Sequence, residues 1–141
     1  MIRSDYILRQ IQQLVQVLAR VMMLRTSRPV DEVHEEILLA LKSVFGLSSL
    51  ELVERSDDAL LELCMSGGAV NGELALALAD LLEQEGELYW DDRQAELANR
   101  YLRKTLFLYE TVLTRADTAP LNIHDKIEYL KQRIDSHEQT N

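Results

Sequence analysis

Acid–base or metal chemistry in this chain would have to come from its carboxylates and its three histidines. Asp31, His34, Glu35 and Glu36 crowd one stretch. Residues three and four apart share a helix face, so His34 and Glu35 both stand near Asp31. Glu36 diverges from them, however, and no second histidine is close in sequence. The stretch reads as the solvated acidic first turns of a helix, where negative side chains complement the dipole. His124-Asp125 falls at another helix start, and capping and the same dipole account for Asp125. Glu83, Glu87, Asp91 and Asp92 gather beside Tyr89 and Trp90. They read as a solvated face with two aromatics anchoring a helix crossing, or as a groove for a basic peptide. In the second reading Trp90 is the apolar anchor and the carboxylates are the rim, since aromatic anchors recur at interaction hot spots.

The chain has no nucleophile elbow, phosphate-binding loop, dinucleotide fingerprint or zinc spacing. The expectation is a protein that is not an enzyme, with no cofactor and no bound metal. Cys64 is the single cysteine. It excludes an internal disulfide, suits a reducing cytoplasm and reads as a small buried apolar residue.

The elements behind these residues are helices. With 141 residues the chain makes one domain with a sizeable core. Two prolines, five glycines and no alternating β-branched run favour an all-α fold of five to seven antiparallel helices. The net charge of −9 is unevenly spread. Residues 1–28 carry five arginines against Asp5, whereas residues 31–98 carry seventeen acids against Lys42, Arg55 and Arg93. The two segments are expected to complement each other within one fold. The acidic total argues against a nucleic-acid partner.

The first helix, from about Asp5 to Arg25, organises the rest. At about 100° per residue, Ile7, Ile11, Leu14, Leu18 and Val21 form one apolar line, and Leu8, Val15 and Met22 form a second beside it. The apolar arc is wider than the roughly 100° stripe of an ordinary surface helix, so this helix asks for two neighbours. Arg9, Arg20 and four glutamines interrupt it, which excludes a membrane span of about 20 apolar residues. A cleavable leader is not expected either, because Ser4-Asp5 reads as a helix N-cap.

A second helix starts after Pro29, carries Val33, Ile37, Leu41 and Val44, and closes at Gly46. Ser48 and Ser56 open one broken helix or two short ones, and Ser66–Gly72 reads as a flexible linker. The second half begins near Leu74 with a stripe through Leu78, Leu81, Leu82 and Leu88. A helix of about 20 residues follows through Leu97, Tyr101, Leu108 and Tyr109, and Ala119-Pro120 ends it. The last helix carries Ile123, Ile127, Leu130 and Ile134, with a polar frayed tail after Ser136. The layout is thus one domain over 1–141, with N-terminal helices in 1–65 and a regular helical half in 70–136.

Ala79-x2-Leu82-x3-Gly86-x-Leu88, followed by Ala98-x2-Tyr101 and Leu106, resembles a tetratricopeptide repeat: a helix pair joined around a glycine, with small residues at the crossing. Ala98 follows Ala79 by nineteen residues rather than the family's twelve or so, which implies an extended first helix through Tyr89–Asp92. Together with the DYILRQI start, this half also looks like a family of small uncharacterised bacterial proteins. That resemblance implies a bacterial origin and no assigned activity.

These features together point to a protein–protein interaction or self-association module, a homodimer among the options. Its contact residues would be Leu14 and Leu18 on the first helix, Trp90, Asp91 and Asp92, and Phe107. Phe107 lies off its helix's apolar stripe among Arg100, Arg103 and Lys104, as Tyr129 lies opposite the isoleucines of the last helix. The alternative is a regulatory module holding a small molecule between the first helix and the Tyr101/Tyr109 stripe. A carboxylate-based enzyme working near Trp90 comes third.

Overall fold

The computed structural model describes residues 2–140, with side chains from Asp5 to His137. Its order is α1 (Ile2–Leu24), α2 (Val30–Phe45), α3 (Ser49–Glu54), α4 (Asp57–Glu62), β1 (Met65–Ser66), β2 (Ala69–Val70), α5 (Gly72–Asp91), α6 (Ala95–Arg115) and α7 (Ile123–Thr140). The fold is all-α, with seven helices among the described residues.

α5 is the axis. Leu74, Ala75, Ala77, Leu78, Ala79, Leu81, Leu82, Gln84, Glu85, Gly86 and Leu88 are all buried along it, so apolar contacts surround it instead of lining one stripe. α6 packs antiparallel to it at close approach. A Cβ on Gly86 would stand 2.8 Å from Leu102 Cδ2 and 3.2 Å from Tyr101 Cβ. One on Gly72 would stand 2.7 Å from Ala116 Cβ.

α1 and α2 form the other hairpin. Gln10 Nε2 donates to the Val44 carbonyl at 3.0 Å, Gln13 Nε2 to Ser43 Oγ at 2.8 Å, and Arg20 pairs with Glu36 at 3.1 Å. That descending order of partners marks an antiparallel pair. Gly46, at φ 73°, closes α2 with its N–H on the Lys42 carbonyl.

Ser48 and Ser56 each cap a separate helix, accepting from Glu51 N and Ala59 N at 3.1 Å. The break at Ser56 is therefore real. Ser66–Gly72, expected as a flexible linker, instead contains an antiparallel hairpin pairing Met65 with Val70 and Ser66 with Ala69. Gly67 and Gly68 both take positive φ, 60° and 82°, the backbone of a two-residue hairpin turn. α7 runs beyond Ser136, the expected start of a frayed tail, because His137 is buried against Trp90. No helix of the described residues is long and apolar enough to cross a membrane.

Candidate functional site

The two apolar lines of α1 have opposite fates. Leu14 and Val21 are wholly enclosed, and Ile11 is buried beside them. The second line stays in solvent: Leu8 is 49 % exposed, Val15 51 % and Met22 59 %. Met23 and Ala19 are exposed as well. Stepping about 100° per residue, the face running through Leu8, Gln12, Val15, Gln16, Ala19, Met22 and Met23 contains no charge. It spans roughly 22 Å of helix at about 1.5 Å per residue. In a chain with 28 % charged residues, an uncharged row of that length is the strongest surface anomaly.

At its N-terminal end the row runs into a groove of about 520 Å³. Ile7, Leu8, Ile11 and Val70 give it an apolar side, and Asn71, Asp117 and Thr118 border it.

The expected contact residues separate accordingly. Leu14 belongs to the core and cannot meet a partner. The physical reason is that α1 needs its first line for α2 and α5, which leaves the second line free. Leu18 is half-buried at the edge of that core. The exposed side chain next to Leu14 is Val15, one residue on.

Trp90, Asp91 and Asp92 each have partners within the chain, with Trp90 partly buried and the two aspartates exposed. The guanidinium of Arg133 on α7 lies 4.4 Å from the Trp90 ring centre, and His137 meets the ring edge-on at 6.3 Å. Asp91 pairs with Arg25 at 3.4 Å, and Asp92 accepts from Gln94 Nε2 at 2.7 Å. Glu87 receives Arg133 and the Tyr129 hydroxyl, both at 2.9 Å, and Asp80 receives Lys126 at 3.2 Å. The carboxylates around Trp90 are thus met by cations of the chain itself, Lys126 and Arg133 of α7 and Arg25 beyond the end of α1. Tyr129, too, meets one of them, Glu87.

Phe107 lines a separate cleft of about 440 Å³ with Val53, Asp57, Arg100, Arg103 and Lys104. Lys104 there is paired with Asp57 at 2.8 Å.

Tyr101 and Tyr109, expected to border a ligand pocket, are enclosed. The Tyr109 hydroxyl donates to Asp80 at 2.5 Å, and α1 packs chiefly on α2 and α5, not on α6. The space between is filled by α5.

One polar constellation was not foreseen. Glu85 is 2 % exposed, and three other helices bring groups to it. His34 Nδ1 of α2 donates to its Oε1 at 2.5 Å, and Ser49 Oγ of α3 donates to its Oε2 at 3.1 Å. Tyr101 of α6 donates in turn to Ser49 Oγ at 3.1 Å. The Tyr89 ring stacks between His34 and Tyr101, with centroids 4.5 and 5.3 Å away. Burial alone would lower the imidazole pKa. The Glu85 bond and the negative charges of Glu85, Asp31 and Asp92 outweigh it and raise the value above 6.5. Sequence position places His34 among Asp31 and Glu35; its operative partner lies 51 residues away. No group of three or more metal-binding side chains gathers among the described residues. The constellation accordingly ties four helices together at one buried carboxylate.

No family model, curated protein or solved structure matches the chain.

Proposed function

We propose that this protein is an interaction module that associates through the solvent face of α1. The observation that supports this reading is the uncharged row through Leu8, Val15 and Met22, left half-exposed on a helix whose neighbouring line buries Ile11, Leu14 and Val21. Contiguous exposed apolar surface beside polar rims marks association sites.

Burying a leucine, valine or methionine from full exposure is worth roughly 1.5–3 kcal/mol. A row of half-exposed side chains therefore offers roughly 1 kcal/mol each on this face, with a similar gain on the partner. Against an association cost of roughly 4 kcal/mol or more, the complex is reversible rather than obligate. The crossing of α5 and α6 at Gly86, flanked by Ala75, Ala79 and Ala98 with no exposed surface, supports reading that pair as a tetratricopeptide-like hairpin serving as the platform for α1.

Val15→Glu tests the module without touching the core. The protein is captured from extracts of its host beside the variant, with circular dichroism confirming equal helicity. Partners, own copies included, recovered with the wild-type chain and lost with Val15→Glu support the reading. Equal recovery by both overturns it.

A further inference from the structure

We infer that the cleft between α3, α4 and α6 binds a small monocarboxylate, its carboxylate at Arg100 and its apolar body against Phe107. The α1 face plays no part in this site. Arg100, Arg103, Lys104 and Phe107 follow one another at i, i+3, i+4 and i+7, so at about 100° per residue they share one face of α6. Like charges at that spacing oppose the helix. A chain with twenty-four acids has carboxylates to set against them. Asp57 answers Lys104 at 2.8 Å. Arg100, exposed at the rim of the cleft, has no ion-pair or hydrogen-bond partner among the described residues.

The rest of the cleft is apolar where a ligand's body would lie. Val53 of α3 is buried, and Leu106 and Phe107 of α6 are half-buried beside it. Its volume of about 440 Å³ falls in the range of small-molecule sites, roughly 300–1,000 Å³, which likewise pair an apolar lining with a few polar groups. A guanidinium selects the head group, because its fork of donors matches the two oxygens of a carboxylate. Phe107 stands three residues past Lys104 and seven past Arg100, roughly 5–10 Å along the helix. A phenyl or alkyl group about three or four carbons from the carboxylate spans that distance.

Glu110 limits the ligand to one charge. It lines the same cleft three residues beyond Phe107 and repels a second carboxylate at the apolar end. A polyanion is opposed as well, by the net charge of −9. For a small anion the distant acids are screened beyond about 8 Å at physiological salt, and the cations of α6 decide.

Phenylbutyrate is a suitable probe of the full chain, followed by backbone amide NMR. It is expected to shift Val53, Arg100, Arg103 and Phe107 saturably, with a Kd of roughly 1 mM. Arg100→Gln, a change at an exposed side chain, should weaken binding by about tenfold, the scale of a lost charge-assisted hydrogen bond. Arg115→Gln removes the same charge from the last residue of α6 and should leave binding intact. Phe107→Leu keeps an apolar side chain and should weaken binding by about threefold. Phenylbutyramide, which is neutral, and the dicarboxylate suberate should each bind at least about tenfold more weakly than phenylbutyrate.

No saturable shift by roughly 10 mM phenylbutyrate, or shifts that Arg100→Gln leaves unchanged, overturns the site. Equal binding of phenylbutyramide overturns the anion as the recognised group, and equal binding of suberate overturns the limit to one charge. An acidic peptide that shifts the same residues where phenylbutyrate does not would overturn the small molecule as occupant.

Discussion

Glu85 shows what a single buried charge demands. Its described partners are an imidazole and a hydroxyl, and that hydroxyl is itself held by Tyr101. Removing one partner of a buried charged pair costs roughly 3–5 kcal/mol. His34→Ala, which strands the carboxylate, is expected to lose about 3 kcal/mol in urea unfolding. Because the folded-state pKa of His34 is raised, the folded chain holds this proton more tightly than the unfolded one. The contribution is full below the ordinary histidine value near 6.5 and is lost as the pH rises through the higher folded value. His34→Gln keeps a donor to Glu85 but carries no charge. The gap in melting temperature between wild type and His34→Gln should therefore narrow from about pH 6 to about pH 9; a gap independent of pH would show that His34 has the same pKa in the folded and unfolded chain. Glu83 behaves oppositely. Burial raises its pKa against the pull of Lys126, with Asp80 and Glu87 reinforcing the rise. The folded state thus opposes its ionisation, and Glu83→Gln should melt slightly higher at pH 7 than wild type.

At the scale of helices, α5 and α6 fit closely at Gly86. Alanine at Gly86 recovers about 1 kcal/mol of helix propensity but drives a methyl into Leu102 and Tyr101. Overpacking of that kind costs about 1–3 kcal/mol, so Gly86→Ala is expected to destabilise by about 1 kcal/mol net, measured by denaturant midpoint. A close helix pair was legible in the sequence through the small residues Ala75 and Ala79, but Gly86, expected where the pair is joined, lies inside α5 against α6. The serine caps of α3 and α4 were legible as well, since Ser48 and Ser56 each precede an acidic turn. The Gly67-Gly68 turn was not. Consecutive glycines permit a flexible chain as readily as a tight hairpin, and the pairing of Met65 with Val70 decides between them.

Across the whole molecule, periodicity located the helices but not which apolar line of α1 would be covered. The first line has five apolar residues and the second three, but the arc asked for two neighbours without saying that both would pack on the first, as α2 and α5 do. The same limit applies to the carboxylates of α5. Sequence gathered Glu83, Glu87, Asp91 and Asp92 beside Trp90, yet such a cluster does not say whether its cations come from another protein or, as here, from Arg25, Lys126 and Arg133 of the same chain. If copies associate through α1, dissociation must accompany unfolding, and the melting temperature should climb with protein concentration. That rise should vanish in Val15→Glu; a wild-type melting temperature independent of concentration would contradict self-association.

Trp90 is the single tryptophan, and it lies beneath Arg133 and beside His137, both on α7. The protein thereby carries a built-in optical gauge of one helix. Emission near 350 nm under thermal ramping follows the undocking of α7, while ellipticity follows every helix at once. Coincident curves would mean that α7 leaves only when everything does, as expected of a two-state domain. An earlier fluorescence change would identify the last helix as the first cooperative unit to open.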